Sequence, residues 1–197
     1  MVTLLLFVDF NTISPGANDN LTGTYAAVCA LRMLDMAGID FENTEVCAMI
    51  TDGEEAGLRG CKQWAKDHYD EYVNSGVETV VLCVDTLADL EYLRVYNKDM
   101  TGTVKNNQQF SQLVMDSAKD SGHNDLEFSS VYFGSSDAAA FSQAGITATC
   151  LAAMDPKPAD YYHNRRDTAE RLVPEAIKTG FDVIISTILN FDEKGLN

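Results

Sequence analysis

Thr79-Val80-Val81-Leu82-Cys83-Val84 is an unbroken run of apolar and β-branched residues that stops on a carboxylate, Asp85. A strand with one wet face alternates apolar with polar residues, whereas a run without polar positions belongs to a strand covered on both faces. Working outward, similar runs recur at Thr3–Val8 before Asp9, at Val46–Thr51 before Asp52, and at Thr147–Leu151. Tyr92–Tyr96 and Leu126–Tyr132 read as further strands. Helical spacing separates them at Leu21–Met36, Leu58–Val73, Asn107–Ala118, Asp137–Gln143 and Pro174–Phe191, the last opening on a proline suited to a first turn. Continuous apolar strands alternating with helices predict an α/β fold: a three-layer α/β/α sandwich around a mostly parallel mixed sheet. With no repeat, linker or low-complexity stretch, residues 1–197 read as one domain.

Composition excludes several function classes. Thirty acidic residues against fourteen Lys and Arg give a net charge of −16, which repels phosphate backbones and anionic lipid surfaces. Nucleic acid and membrane are therefore not expected partners. No stretch is long enough to cross a bilayer. Met1–Val8 lacks the basic leader and small-residue cleavage site of a signal peptide, so a cytoplasmic location is expected. The five cysteines, Cys29, Cys47, Cys61, Cys83 and Cys150, contain no C-x-x-C pair, and several sit in apolar runs. They read as small core residues in a reducing compartment rather than as a disulfide framework or zinc ribbon.

The polar ends of the strands carry the chemistry. Ligand sites of such sheets lie at the carboxyl edge, where strands give way to loops. There the sequence places Asp9, Asp19 in the following loop, Asp52-Gly53-Glu54-Glu55, and Asp85. Carboxylates packed together without partners repel one another, a divalent cation removes that cost, and no Lys or Arg cluster lies nearby to do so instead. Of the three histidines, His68 and His123 sit in surface contexts, while His163 lies in Tyr161-Tyr162-His163-Asn164-Arg165-Arg166-Asp167-Thr168. A hydrolytic zinc site needs oxygen or nitrogen ligands, an open position for water and a base for the water's proton. Glu54 and Glu55 are placed to divide those roles.

Five motifs occur in order: Pro15-Gly16-Ala17-Asn18-Asp19-Asn20-Leu21-Thr22-Gly23; Asp52-Gly53-Glu54-Glu55-Ala56-Gly57-Leu58-Arg59-Gly60; Val84-Asp85; Ser136-Asp137-Ala138-Ala139-Ala140-Phe141; and Tyr162-His163 with Asp167-Thr168. Together, over nearly the whole chain, they resemble the M28 family of zinc aminopeptidases, which fold as phosphorylase/hydrolase-like α/β sandwiches. The resemblance implies a bridging role between two zinc ions for Asp19, a general base in Glu54, and a zinc ligand in Glu55 with His163 beside it. It further implies a ligand of the other zinc in Asp85, and a phenol in Tyr162 that steadies the oxyanion. Asp137 and Asp167 match structural positions near the site. The implied substrate is a peptide with a free amino terminus.

The chain departs from the family pattern at its start. Members carry His-x-Asp at the end of the first matching strand; ungapped counting puts Phe7 on the His and Asp9 on the Asp. Phe cannot ligate a metal. A shifted register would make Asp9 a substitute ligand, but a one-residue slip reverses the faces of a buried strand. Asp9 is therefore expected to act behind the ligands. The expectation is one firmly held zinc, with a second position weak or empty; cobalt or manganese also suit such mixed sites. Two alternatives follow from the same departure: a catalytically impaired homologue serving as a binding or assembly module, and a single-zinc enzyme similar to glutaminyl cyclases. Family domains also carry a helix and strands ahead of this point. The expectation is a shortened domain whose exposed sheet edge invites homodimerisation.

Overall fold

The computed structural model describes residues 13–157 and 159–196. The strand expected at Thr3–Val8, with Phe7 and Asp9, lies outside the described residues. Among the described residues, five strands form one mixed sheet: β1 (Val81–Asp85), β2 (Leu93–Asp99), β3 (Val104–Lys105), β4 (Phe128–Ser130) and β5 (Ala148–Ala153). Their order is β1-β5-β2-β3, with β4 also pairing β2. The β1–β5 and β2–β4 ladders are parallel and the β2–β5 and β2–β3 ladders antiparallel, with eight parallel residue pairings against six antiparallel. Cys83 stands opposite Cys150 and Asp85 opposite Ala152, so the carboxyl ends of β1 and β5 finish side by side.

The helices are α1 (Gly23–Met36), α2 (Arg59–Asp67), α3 (Gln108–Asp120), α4 (Asp137–Ala144) and α5 (Pro174–Lys194). They cover the sheet in two layers. Ala26 and Ala30 of α1, Phe110, Val114, Met115 and Ala118 of α3, and Val183 and Ile184 of α5 pack with Leu93, Val95, Leu151 and Ala153. On the opposite face Cys61 and Ala65 of α2 and Ala138–Phe141 of α4 pack with Tyr96, Ala148, Cys150 and Ala152. Alternate residues of β5 thus feed different cores, as the period-two geometry of a strand demands. All six are buried. Ala138, Ala139 and Ala140 against Ala148, Cys150 and Ala152 are small on both sides, which lets α4 lie close to the sheet.

Local chemistry fixes the ends. The Asn107 side chain caps α3 by accepting the Phe110 N–H at 2.9 Å, and Pro174 occupies the first turn of α5. Two expectations need correction. Val46–Thr51 is irregular, and Ile50 is 54% exposed: an apolar run becomes a strand only where a neighbour accepts its backbone groups, and no described residue does so. The helix expected over Leu58–Val73 is also interrupted. It stops at Asp67, and a separate wide helical turn spans Asp70–Asn74, with His68 stacked on Trp64 at the break.

Candidate metal centre

The turn Ala17–Thr22 carries Asp19 to the carboxyl edge of the sheet. Its backbone is held from below by Asp167, which is fully buried. The Asn18 N–H donates to Asp167 Oδ1 at 2.8 Å and the Asp19 N–H to Oδ2 at 3.0 Å, while the Ala17 N–H donates to the Asp167 carbonyl at 3.3 Å. Asn18 also donates through Nδ2 to the Tyr161 hydroxyl at 2.9 Å, and that hydroxyl donates to Asp89. Asp167, Tyr161 and His163 belong to one loop, so the turn bearing Asp19 and the loop bearing His163 are locked together.

Asp85 ends β1, and its Oδ1 is buried without a hydrogen-bond partner. Glu54 and Glu55 lie in the tight turn before α2, where the Glu54 carbonyl accepts from the Gly57 and Leu58 N–H groups at 2.8 and 2.7 Å. Asp137 opens α4; its Oδ2 accepts from the Thr51 hydroxyl at 2.9 Å and its Oδ1 is buried without a partner. His163 adopts a left-handed φ of 55° and stacks its ring on Tyr162, with centroids 3.7 Å apart. Such strain persists only where surroundings hold it, commonly at functional sites.

His163 Nε2 lies 3.2 Å from Asp19 Oδ2 and 2.8 Å from Glu55 Oε1. One ligand atom from each of these three residues falls within 4.8 Å of the other two. The hydrogen bonds to Asp19 and Glu55 hold the His163 pKa up at about 10. Burial, then the Glu55, Asp137 and Asp19 carboxylates, lifts Glu54 to about 8. Burial, then Asp19 and Glu54, drives Asp85 well above the carboxylate range, and burial raises Tyr162. Asp19, Glu54, Glu55, Asp85 and Tyr162 line one cleft, which Phe133, Met154, Ala159 and Tyr161 also line.

These features fit a small divalent cation. Tetrahedral zinc with bonds near 2.0–2.1 Å sets its ligand atoms about 3.3 Å apart. The spacing around His163 Nε2 is already close to that. A single ring proton satisfies one of the two facing carboxylates well, whereas a cation serves both. The orphaned Asp85 Oδ1 is a further oxygen donor on the same cleft.

Among the sequence-predicted residues, the structure brings Asp19, Glu55 and His163 into mutual contact and sets Glu54, Asp85 and Tyr162 around the cleft. Asp137 and Asp167 bond instead to the Thr51 hydroxyl and to the Asn18 and Asp19 N–H groups. Asp9 lies outside the described residues. Sequence reasoning missed Asn18, Tyr161 and Asp89, and the cleft wall from Phe133 and Met154. The wall residues carry no sequence signal, but Tyr161 and Asn18 stand next to singled-out residues.

The fold and cleft define an α/β sandwich with a carboxylate–imidazole centre at the carboxyl ends of its strands. The chain matches Peptidase family M28 over residues 7–188 and belongs to that family. Solved structures share the fold. The aminopeptidase of Aneurinibacillus sp. strain AM-1 superposes with a TM-score of 0.73 at 21% identity, covering 89% of this chain and 39% of that one. The zinc aminopeptidase of Bacillus subtilis gives 0.70 at 24% identity, covering 89% and 42%. An Acidobacteriales bacterium glutaminyl cyclase gives 0.66 at 16% identity, covering 91% and 63%. The chain therefore spans less than two thirds of each. No curated protein matched it by sequence. No helix among the described residues is long and apolar enough to cross a membrane.

Proposed function

We propose that the protein is a zinc-dependent exopeptidase that removes amino-terminal residues from peptides. The observation that carries this reading is the meeting of Asp19, Glu55 and His163 ligand atoms within 4.8 Å at the strand ends. Those three would hold one ion, and Asp85, across the cleft, would share Asp19 with a second, weaker one. A bound zinc supplies Lewis acidity, making water nucleophilic near neutral pH and polarising the scissile carbonyl. Glu54, whose burial and then crowding by carboxylates raise its affinity for a proton, takes the proton from the attacking water and delivers it to the leaving amine as the carbon–nitrogen bond breaks. The Tyr162 hydroxyl, kept protonated by burial, donates to the oxyanion formed on the attacked carbonyl. Asp167 and Asp137 hold the ligand-bearing segments in place.

A second reading rests on the single three-residue set found among the described residues and on coverage: the chain spans more of the glutaminyl cyclase than of the two aminopeptidases above. In that case the attacking group is the substrate's own amine rather than water. The discriminating experiment supplies zinc-loaded protein with aminoacyl anilides and, separately, with peptides beginning in glutamine. Chromophore release that Glu54→Gln abolishes, at unchanged zinc content and melting temperature, supports the peptidase. Cyclisation with release of ammonia supports the alternative. A protein that binds zinc and does neither is a binding member of the family.

A further inference from the structure

Between Asn18 and Thr22, alternate side chains leave the turn in different directions. Asp19 points to the cleft, while Asn18, Asn20 and Thr22 reach the segment that follows β1. Three successive backbone amides there each find a side-chain acceptor. The Thr86 N–H donates to Asn20 Oδ1 at 3.2 Å, the Leu87 N–H to Thr22 Oγ1 at 3.0 Å and the Ala88 N–H to Asn18 Oδ1 at 3.0 Å. Asn20 Nδ2 also donates to the Val84 carbonyl at 2.9 Å. A parallel neighbouring strand bonds the carbonyl before a residue and the N–H after it. The Asn20 carboxamide makes those same two bonds around Asp85, so at that point one side chain does for β1 what a neighbouring strand would do.

The neighbourhood is built to this arrangement. Asn20 Oδ1 additionally accepts the Gly23 N–H at 3.0 Å. A Cβ on Gly23 would stand 2.3 Å from the Val84 carbonyl oxygen, so only glycine permits α1 to start so near the strand. Thr86 has a left-handed φ of 43°, a conformation that side chains resist and that the Asn20 bond helps to hold. We propose that Asn18, Asn20 and Thr22 are positioning residues, with Asn20 at their centre, which stitch the turn bearing Asp19 to the strand end bearing Asp85 and so set the spacing of these carboxylates in the cleft. Its consequence for a cation rests on the function proposed above.

The test uses the full chain carrying Asn20→Ala, Thr22→Val as a milder variant, and Val114→Ala, on α3, as a control for lost stability. Amide exchange in metal-free protein is expected to accelerate more than tenfold at Thr86 in Asn20→Ala and at Leu87 in Thr22→Val, and at neither in Val114→Ala. Titration with cobalt(II), whose visible absorption reports its coordination, is expected to show affinity falling about 10- to 100-fold in Asn20→Ala, as for residues that orient metal ligands, with an altered spectrum. Unchanged exchange at Thr86 and Leu87 would overturn the stitch. Faster exchange with unaltered cobalt affinity and spectrum would overturn its role in spacing the carboxylates. If the wild-type chain takes up no cobalt, the function proposed above fails, and the exchange data alone decide the stitch. Should Asn20→Ala fail to fold, Thr22→Val carries both readouts.

Discussion

Asp167→Asn keeps the shape of a fully buried side chain but turns one of its two acceptors into a donor. In the native protein the two carboxylate oxygens each accept one backbone N–H, from Asn18 at 2.8 Å and from Asp19 at 3.0 Å. The amide oxygen of Asn can keep one of these bonds; its NH₂ group then faces the other N–H. A hydrogen bond to a carboxylate contributes about 1.5–3 kcal/mol, and the remaining neutral bond is weaker than the one it replaces. The expected loss of stability is about 2–4 kcal/mol. For a chain of this size each kcal/mol corresponds to roughly 2–4 °C, so the melting temperature should fall by about 4–16 °C. Urea denaturation of metal-free wild type and variant, followed by circular dichroism, measures the free energy directly. A loss below about 0.5 kcal/mol would refute the argument that Asp167 anchors the turn carrying Asp19.

Other perturbations probe different links. Gly23→Ala would place its Cβ 2.3 Å from the Val84 carbonyl; the forced shift is expected to cost about 3 kcal/mol, read from the urea midpoint. The raised pKa of His163, about 10, stabilises the metal-free protein fully below pH 6.5 and is lost between 6.5 and 10. Glu54, raised from 4.5 to about 8, destabilises metal-free protein progressively over that interval, because folding favours its protonated form. Both signs agree, so calorimetry should show the stabilisation by excess zinc growing from pH 6 to pH 9. Zinc must also displace the His163 proton; calorimetric titration at pH 7.5 in buffers of different ionisation enthalpy should therefore register proton release. Phe110→Ala in α3 should cost about 3–5 kcal/mol by urea denaturation, since that ring is 1% exposed in the larger core.

What could be read from the sequence depended on whether the signal was local. Thr79–Val84 was legible as β1 because a short apolar, β-branched run without polar positions suits a strand inside a sheet, and Pro174 marked the start of α5 because proline suits a first helical turn. Asp19 and Glu55 stood out because carboxylates at strand ends need a counter-charge, while His163 was joined to them through the resemblance to the M28 family. Val46–Thr51 misled because an apolar run specifies burial or pairing without naming a partner. The Asn18, Asn20 and Thr22 stitch was invisible because its bonds join residues 65–70 positions apart, and polar side chains in a turn look the same whether they face water or another segment. The helix break near His68 was hidden because the apolar pattern continues beyond it.

The most direct measurement is zinc content after equilibrium dialysis of the purified chain and of His163→Ala, by elemental analysis. One tightly held zinc per wild-type chain is expected, and its loss in His163→Ala, with the variant still folded by circular dichroism. A wild-type chain that holds no zinc, or a His163→Ala protein that retains it with equal affinity, would contradict the metal centre built from Asp19, Glu55 and His163.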